Sequence, residues 1–300
     1  MEPCEPARID ETLHELNLHG TAQFPFQCFY SYYGGREDDC FPGHWHQEVE
    51  MIAVDSGEAR CLIGNERIVL HKGQGLFIPP CVIHGYETPN RLVMPTLLFK
   101  PELIAPEGSA LHTKYVEPLL LANLSHAVLN PESPWQADLI DAIRTLSELA
   151  PSGSPTLELE VHTLVCGLWT TLFHHQGEIK SMGKTDNATL VQARLRKMIT
   201  HIEENFSYKL RLEDIARAAS VSVSEALRCF REGVHTTPID YLNQYRLKYA
   251  RARLTSTSLT ITEIASECGF SSAAYFDRMF QRSFAVHPTA YRRLHGGRSA

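Results

Sequence analysis

Residues 214–241 read DIARAASVSVSEALRCFREGVHTTPIDY, and residues 263–291 read EIASECGFSSAAYFDRMFQRSFAVHPTAY. Aligned, Ile215-Ala216 falls on Ile264-Ala265, Phe230 on Phe280, Pro238 on Pro288 and Tyr241 on Tyr291. The offset is 49 residues at the start and 50 afterwards, so the second copy carries one extra residue near its turn. A repeat of that length is one supersecondary unit used twice, and two copies are too few for a solenoid. Each copy opens with a short amphipathic segment: Leu212, Ile215, Ala216 and Ala219, then Ile261, Ile264 and Ala265. A turn follows, with Gly269 in the second copy and Ala219-Ser220-Val221 in the first. A second helix is expected over 222–231 and 271–282, with Leu227 and Phe230, or Phe276 and Phe280, facing inward. Small side chains at Ala216 and Ala265 let two helices cross closely. This is the helix-turn-helix plan, whose second helix enters the major groove of DNA.

The outward positions of the second helices are Ser224, Glu225 and Arg228 in the first copy, and Ser272, Ala273, Asp277, Arg278 and Gln281 in the second. Arginine can grip a guanine edge with two hydrogen bonds, and serine, glutamine and glutamate also read base edges. Arg231 and Arg282, at the helix ends, suit phosphates, which position a protein without specifying sequence. Any one of these side chains could equally decorate a solvated helix face; the set points to DNA. Between the copies, residues 238–254 (PIDYLNQYRLKYARARL) carry a stripe of Leu242, Leu247, Ala250 and Leu254. A continuous helix there would fix the two readers for successive major-groove segments about 34 Å apart.

Charge divides the chain in the same place. The 300 residues allow two domains and carry a net charge of −7. From residue 190 onward there are 17 Lys+Arg and 10 Asp+Glu, a net of +7, which leaves −14 for the front. A basic back suits a polyanionic partner. The eight cysteines have no Cys-x-x-Cys pair, which fits reduced thiols in the cytoplasm. The start, MEPCEPARIDETLHEL, lacks the basic and apolar regions of a secretion signal, and no apolar run is long enough to span a membrane.

The front is built differently. From Phe24 to Phe99 short apolar runs (FQCFYSYY, VEMIAV, ARCLIG, RIVL, GLFIPP, VMPTLLF) alternate with Gly and Pro, the spacing of a small antiparallel sandwich or barrel. Residues 136–149 and 157–173 then place Leu139, Ile140, Ile143, Leu146 and Leu149, and Leu157, Val161, Leu164, Val165, Leu168 and Leu172, at helical spacing. Ser133-Pro134 and Ser154-Pro155 stand where N-caps and first-turn prolines belong. These two helices either complete the barrel core or form a dimer face. The polar stretch 175–188, HQGEIKSMGKTDNA, reads as an interdomain linker. The expected fold class is α+β, with a barrel domain over 1–110, a helical dimerisation segment of the same domain over 111–176, a linker over 177–189 and an all-α DNA-binding domain over 190–300.

LEDIARAASVSVSEALRCF, TPIDYLNQYRLKYARARL, ITEIASECGFSSAAYFDRMF and HPTAYR together resemble the double helix-turn-helix domain of the AraC/XylS family of transcription regulators. The resemblance covers about 100 residues. It implies a single-chain double reader of DNA attached to a regulatory domain that senses a small molecule and dimerises. Three departures fall on two loops: His235 and Ala285 stand where the family usually has glycine, and His287 where it has Ser or Thr. They predict altered loops with function kept.

In the front, HWHQEVEMIAVDSG (44–57) and GQGLFIPPCVIHGY (73–86) carry His44, His46, Glu50 and His84. The first three are all even-numbered, so on one strand they would share a face, with Trp45 opposite as packing. Imidazoles with a carboxylate suit Fe, Mn, Ni or Zn. The two stretches resemble the paired motifs of the cupins, small antiparallel β-barrels with an internal site, and fill all four metal-binding positions. The departures are Cys81 for Gly, Thr88 for Asn and Asp38 for Gly. Sensor domains of the AraC/XylS family are themselves cupin-like and often keep such histidines without metal. Three readings stand: a metal-free pocket in which His44, His46, Glu50 and His84, with Tyr86 and Arg60, hydrogen-bond a polar effector; a divalent transition-metal site on His44, His46, Glu50 and His84; or barrel packing. The expected function is a non-enzymatic, effector-responsive, sequence-specific transcription regulator, an activator that meets RNA polymerase, working as a cytoplasmic homodimer on double-stranded DNA. The alternatives are a metallo-cupin isomerase or oxygenase fused to a DNA-binding domain, and a constitutive regulator whose barrel only dimerises.

Overall fold

The computed structural model describes residues 8–10, 12–21, 23–33, 40–64, 66–89, 91–122, 124–182 and 187–295. Asp38 lies outside them. The chain divides into two compact units, 1–193 and 194–300, and its architecture is α+β. No helix among the described residues is long and apolar enough to cross a membrane.

Among its described residues the first unit has nine strands: β1 Phe26–Tyr33, β2 Cys40–His44, β3 Val49–Ala53, β4 Glu58–Ile63, β5 Glu66–His71, β6 Gly75–Ile78, β7 His84–Glu87, β8 Leu92–Phe99 and β9 Ala127–Leu129. They form two antiparallel sheets, β1-β8-β3-β6-β9 and β2-β7-β4-β5. The six apolar runs become β1, β3, β4, β5, β6 and β8; β2, β7 and β9, too short or too polar for a pattern, escape notice. Period-two alternation sorts each strand between two cores. Ile52, Leu76, Ile78, Leu92 and Met94 of the larger sheet meet Ala59, Cys61, Ile63, Leu70 and Tyr86 of the smaller one. The opposite face of the larger sheet, through Val49, Met51, Ala53, Phe77, Leu97 and Phe99, packs on helices. Buried on both sides, β3 and β8 are apolar on both faces apart from Glu50 in the one and Thr96 in the other.

Those helices follow a π-helical turn at His112–Val116. They are α1 Glu117–Leu120, α2 Pro134–Leu149, α3 Leu157–His174 and α4 Gln176–Met182. The stripes of α2 and α3 enter the helix-side core, with Ile143, Leu146, Val165 and Leu172 inaccessible to solvent. Of the two roles left open for these stripes, they complete the core. Ser133 is the N-cap residue of α2 with Pro134 in its first turn, although its side chain makes no capping bond. Ser154 is not the N-cap of α3; Thr156 is. In the stretch expected as a linker, α4 takes 176–182, because Ile179 finds a fully buried seat in the same core, and α5 begins at Asn187. Residues 183–186 lie outside the described ones.

In the second unit, α5 Asn187–Asn205 precedes α6 Leu212–Ala218, α7 Val223–Val234, α8 Pro238–Ser256, α9 Ile261–Glu267, α10 Ala273–Phe284 and α11 Pro288–His295. The two copies superpose turn for turn. Val221 donates to the Ala216 carbonyl as Phe270 donates to Ala265, and Ser220 takes the left-handed backbone (φ 54°) where Gly269 takes it (φ 75°). Ser222 and Ser272 then cap α7 and α10. The extra residue of the second copy is thus Ser271, between turn and cap. Both second helices start and end later than expected, since these serines are caps and the helices run on to Val234 and Phe284. In α7 the inward face centres on Ala226, Cys229 and Phe230, with Leu227 only half-buried; in α10 Phe276 and Phe280 are buried as expected. The connecting helix α8 is continuous and buries Leu242, Leu247, Ala250 and Leu254. Its buried Arg246 donates to the Phe206 and Tyr208 carbonyls, both at 2.8 Å, and lies over the Phe270 ring. That one side chain ties the end of α5 to the second copy.

Candidate functional site

His44 ends β2 and His46 follows it, while Glu50 lies in β3 of the other sheet. The expectation that they share one strand is therefore corrected: the chain crosses between sheets at 45–48, and the barrel interior rather than a strand face gathers them. Trp45, pointing away, is fully buried packing. His84 starts β7, beside His44 in the ladder. One ligand atom from each of His44, His46, Glu50 and His84 lies within 4.8 Å of the others, and all four residues are buried. Tyr86 joins them by donating its hydroxyl to Glu50 Oε1 at 2.8 Å. Arg60 does not: alternation along β4 turns it outward, half exposed, onto Glu58. Cys81 adopts the left-handed backbone expected of the glycine it replaces (φ 61°) and donates its N–H to the His46 carbonyl. Thr88 donates its hydroxyl to the Glu58 carbonyl.

Hydrogen bonding fixes the imidazoles. His44 Nδ1 sits 2.9 Å from the Pro42 carbonyl and His84 Nδ1 2.8 Å from that of Val82, so each ring uses Nδ1 as a donor outward and turns Nε2 to the centre. His46 Nε2 lies 3.0 Å from Glu50 Oε2. His84 Nε2 is 2.7 Å from the same oxygen, an ion-pair contact. Burial, reinforced by His84 and His46, pushes the His44 pKa down to about 2, so this ring is neutral. Burial alone would raise the Glu50 carboxyl; the neighbouring His84 and His46 outweigh it and hold it well below its usual range. For His84 burial acts downward, and the Glu50 carboxylate overrides it, raising the imidazole.

Three further residues belong to this cluster and were not foreseen. Glu15 Oε2 lies 3.6 Å from His44 Nε2 and 3.1 Å from His19 Nε2, and Glu48 Oε2 lies 3.6 Å from His46 Nδ1. Glu48 lies in the crossing between β2 and β3, between His46 and Glu50 in the quoted stretch. Glu15 and His19 come from the irregular first segment, where only their i,i+4 spacing hinted at a pair.

The donor set fits a divalent transition ion. Three imidazoles and a carboxylate converge. Two rings are held by backbone carbonyls at Nδ1, the arrangement that orients metal-bound histidine. His46 and His84 both turn Nε2 to the same oxygen of Glu50, so the ligand atoms crowd one point.

In the second unit the foreseen DNA-facing residues separate into two groups. Ser224, Arg231, Ser272, Arg278, Gln281 and Arg282 are exposed. Glu225, Arg228, Ala273 and Asp277 are half-buried. Glu225 pairs with Arg194 of α5 and, at 2.6 Å, with Arg228, which also reaches Glu232 at 3.1 Å. Asp277 receives His287 Nδ1 at 3.0 Å. Ser272 is committed to capping. Exposed Ala274, not foreseen, adds a small side chain to the outer face of α10.

A double helix-turn-helix unit behind a β-barrel with a polar centre defines a DNA-binding transcription regulator with a ligand-binding domain. Comparison with known proteins gives the same division: residues 27–164 match the AraC-like ligand binding domain, and residues 215–294 match a helix-turn-helix domain. The chain belongs to the AraC family of transcriptional regulators. It is 26% identical over 95% of its length to the uncharacterised HTH-type transcriptional regulator YdeC of Bacillus subtilis, covering 98% of that protein. It is 24% identical over 85% of its length to the HTH-type transcriptional activator RhaS of Mannheimia succiniciproducens, covering 90% of it. Among solved structures, ToxT of Vibrio cholerae aligns over 91% of this chain and 98% of its own, at 14% identity and a TM-score of 0.43.

Proposed function

We propose that this regulator is an effector-responsive activator: a small polar molecule bound at the His44–His46–Glu50–His84–Tyr86 centre changes the affinity of the second unit for promoter DNA. The observation that carries this is the convergence of these five hydrogen-bonding side chains, with Glu15, His19 and Glu48 beside them, between apolar sheet faces, the usual composition of a small-molecule site. An effector acts only by binding one state of the regulator better than the other. We read the centre as a binding site rather than one of turnover, since the full-length relatives are named as regulators. Activation follows the naming of relatives such as RhaS, with RNA polymerase as the further partner and the cytoplasm as the place of action. We assign Ser224, Arg228, Arg231, Arg278, Gln281 and Arg282 to DNA, and dimerisation to the outer surface of the first unit, because the inner stripes of α2 and α3 are used in its core.

The test is a mobility shift on the DNA upstream of the chain's own gene, with and without ligands found by thermal shift. Ligand-dependent binding supports the reading. Binding indifferent to every ligand that shifts the melting temperature would overturn it. A second reading of the centre is favoured by the convergence of four ligand atoms within 4.8 Å of one another: His44, His46, Glu50 and His84 would hold a divalent transition ion. Such an ion supplies Lewis acidity, a fixed positive charge for an effector's anionic or carbonyl oxygen. The residues themselves orient the site, with Pro42 and Val82 fixing two rings and Tyr86 holding the second oxygen of Glu50.

A further inference from the structure

Glu15 stands 29 residues before His44 in the sequence, in a segment that belongs to none of the named strands. That segment, 12–20, is nevertheless fastened to the barrel at defined points. Trp45 donates its backbone N–H to Leu13 O at 2.9 Å, and Glu15 returns a bond to Trp45 O at 3.0 Å. The Trp45 indole donates to Thr12 O at 2.9 Å and lies against the His14 ring at 4.4 Å. At the far end Gly20, with φ of 80°, turns the chain into β1; a Cβ there would stand 2.6 Å from the Phe24 carbonyl and the Phe26 backbone. Leu13 itself holds a left-handed backbone (φ 63°), a conformation that costs a non-glycine residue about 1–2 kcal/mol.

The effect of this fastening is to place a second buried carboxylate on the centre. Glu15 and Glu50 are each 4% exposed, and no lysine or arginine pairs with either among the ion pairs of the cluster. His44 has its Nδ1 proton on Pro42, so its Nε2 presents a lone pair to Glu15 Oε2 at 3.6 Å. Two acceptors that close in a dry interior repel unless a cation lies between them. His19, at 3.1 Å from the same carboxylate oxygen and edge-on to His46, holds Glu15 in that direction.

We infer that Glu15 is a metal ligand delivered by the 12–20 segment, completing with His44, His46, Glu50 and His84 a site for a divalent transition ion that is assembled only when this segment is docked. The inference rests on the metal-bound reading of the centre. Glu15 joins the inner set and His19 is a positioning residue that acts through it. Binding of the ion and docking of the segment are then one event. Removing the ion leaves Glu15, Glu48 and Glu50 buried together, and the segment loosens.

The experiment uses the full chain, purified without an affinity tag, stripped with chelator and titrated with Co2+ as a visible-spectrum probe and with Zn2+ by competition. Wild type is expected to take up one equivalent. Glu15→Gln is expected to weaken binding roughly 10- to 100-fold and to shift the Co2+ absorption bands, while His46→Ala binds none. Glu15→Asp, which keeps the carboxylate, should recover part of the affinity. Limited proteolysis of wild type supplies the second readout: cleavage within 12–20 should be slow with Zn2+ and fast after chelation. Failure of wild type to bind either ion would overturn the metal reading of the centre. Binding by wild type with unchanged affinity and spectrum in Glu15→Gln would overturn the role of Glu15 alone, as would equal cleavage of the segment with and without the ion.

Discussion

Arg228 and Arg278 stand one on each recognition helix, in different company. Arg228 is clamped between Glu225 and Glu232, and Glu225 is held in turn by Arg194. Arg278 is exposed and, among the described residues, lies over the Tyr275 ring, 6.0 Å from the guanidinium, with no ion pair. An arginine that must leave two carboxylates before it meets a base gives up interactions that an unclamped one does not. The second helix should therefore carry more of the sequence discrimination. Arg278→Ala is expected to cost about 1–3 kcal/mol on the cognate site and little on random DNA. Arg282→Ala should weaken both alike and lower the salt slope by about 1. Glu225→Gln tests the clamp itself. It releases Arg228 and Arg194 toward the phosphates, so affinity for random DNA should rise, and the slope of log affinity against log salt should steepen by about 1. Salt-titrated binding to cognate and scrambled duplexes reads all three, and an unchanged slope in Glu225→Gln would mean that the freed arginines do not reach DNA.

At the scale of elements, the positions where this chain departs from the family pattern keep the pattern's backbone. His235 and Ala285 both end their helices in the left-handed conformation, at φ 52° and 57°. The loops are not altered, as the sequence alone led one to expect; they are strained. His235→Gly and Ala285→Gly should each stabilise the second unit by about 0.5–1 kcal/mol, the left-handed penalty less the entropy that glycine loses on folding. Gly269→Ala should do the reverse, costing about 2 kcal/mol or more, because its Cβ would stand 2.4 Å from the Phe206 carbonyl. Urea denaturation of each variant measures these changes, and a neutral His235→Gly would remove the strain argument. The same contrast explains how much could be read beforehand. Helix periodicity gave α2, α3 and α8 nearly to the residue, because each buries one stripe. The site residues themselves were legible as types. Their assembly was not, since His44 and His84 lie on short polar strands with no apolar alternation, and Glu15 on a segment with no periodicity at all. Arg60 was misplaced for the opposite reason. It stands in a run already read as a strand, ARCLIG, whose inward face, Ala59, Cys61 and Ile63, fixes it outward by parity; parity applied to that run would have removed it from the site.

For the whole molecule, the division between units passes through α5, and that decides which fragment can be tested. Leu195, Met198, Ile199 and Ile202 of α5 are buried, Arg194 pairs with Glu225, and Glu203 accepts the Tyr241 hydroxyl. A Cβ on Gly233 would stand 2.4 Å from the Leu195 side chain, so α5 and α7 are in close contact. The helix is thus part of the DNA-binding core, and a fragment must begin before it. Residues 187–300 should fold cooperatively and bind DNA, whereas 206–300, which strips the cover from α7, should not fold. The longer fragment also isolates regulation from recognition. Its affinity should keep the salt slope of the full chain, since the phosphate contacts lie within it, but should not respond to any ligand of the barrel. In the full chain the response must be reciprocal, because coupling is a free energy shared by two sites. If a ligand raises DNA affinity by a given factor, saturating DNA must raise affinity for that ligand by the same factor, typically about 5- to 150-fold. Parallel calorimetry and mobility-shift titrations measure both numbers on one preparation. Unequal factors would mean that the ligand acts outside this equilibrium, for example by changing the oligomeric state, and a fragment that still responds would place the effector site in the second unit.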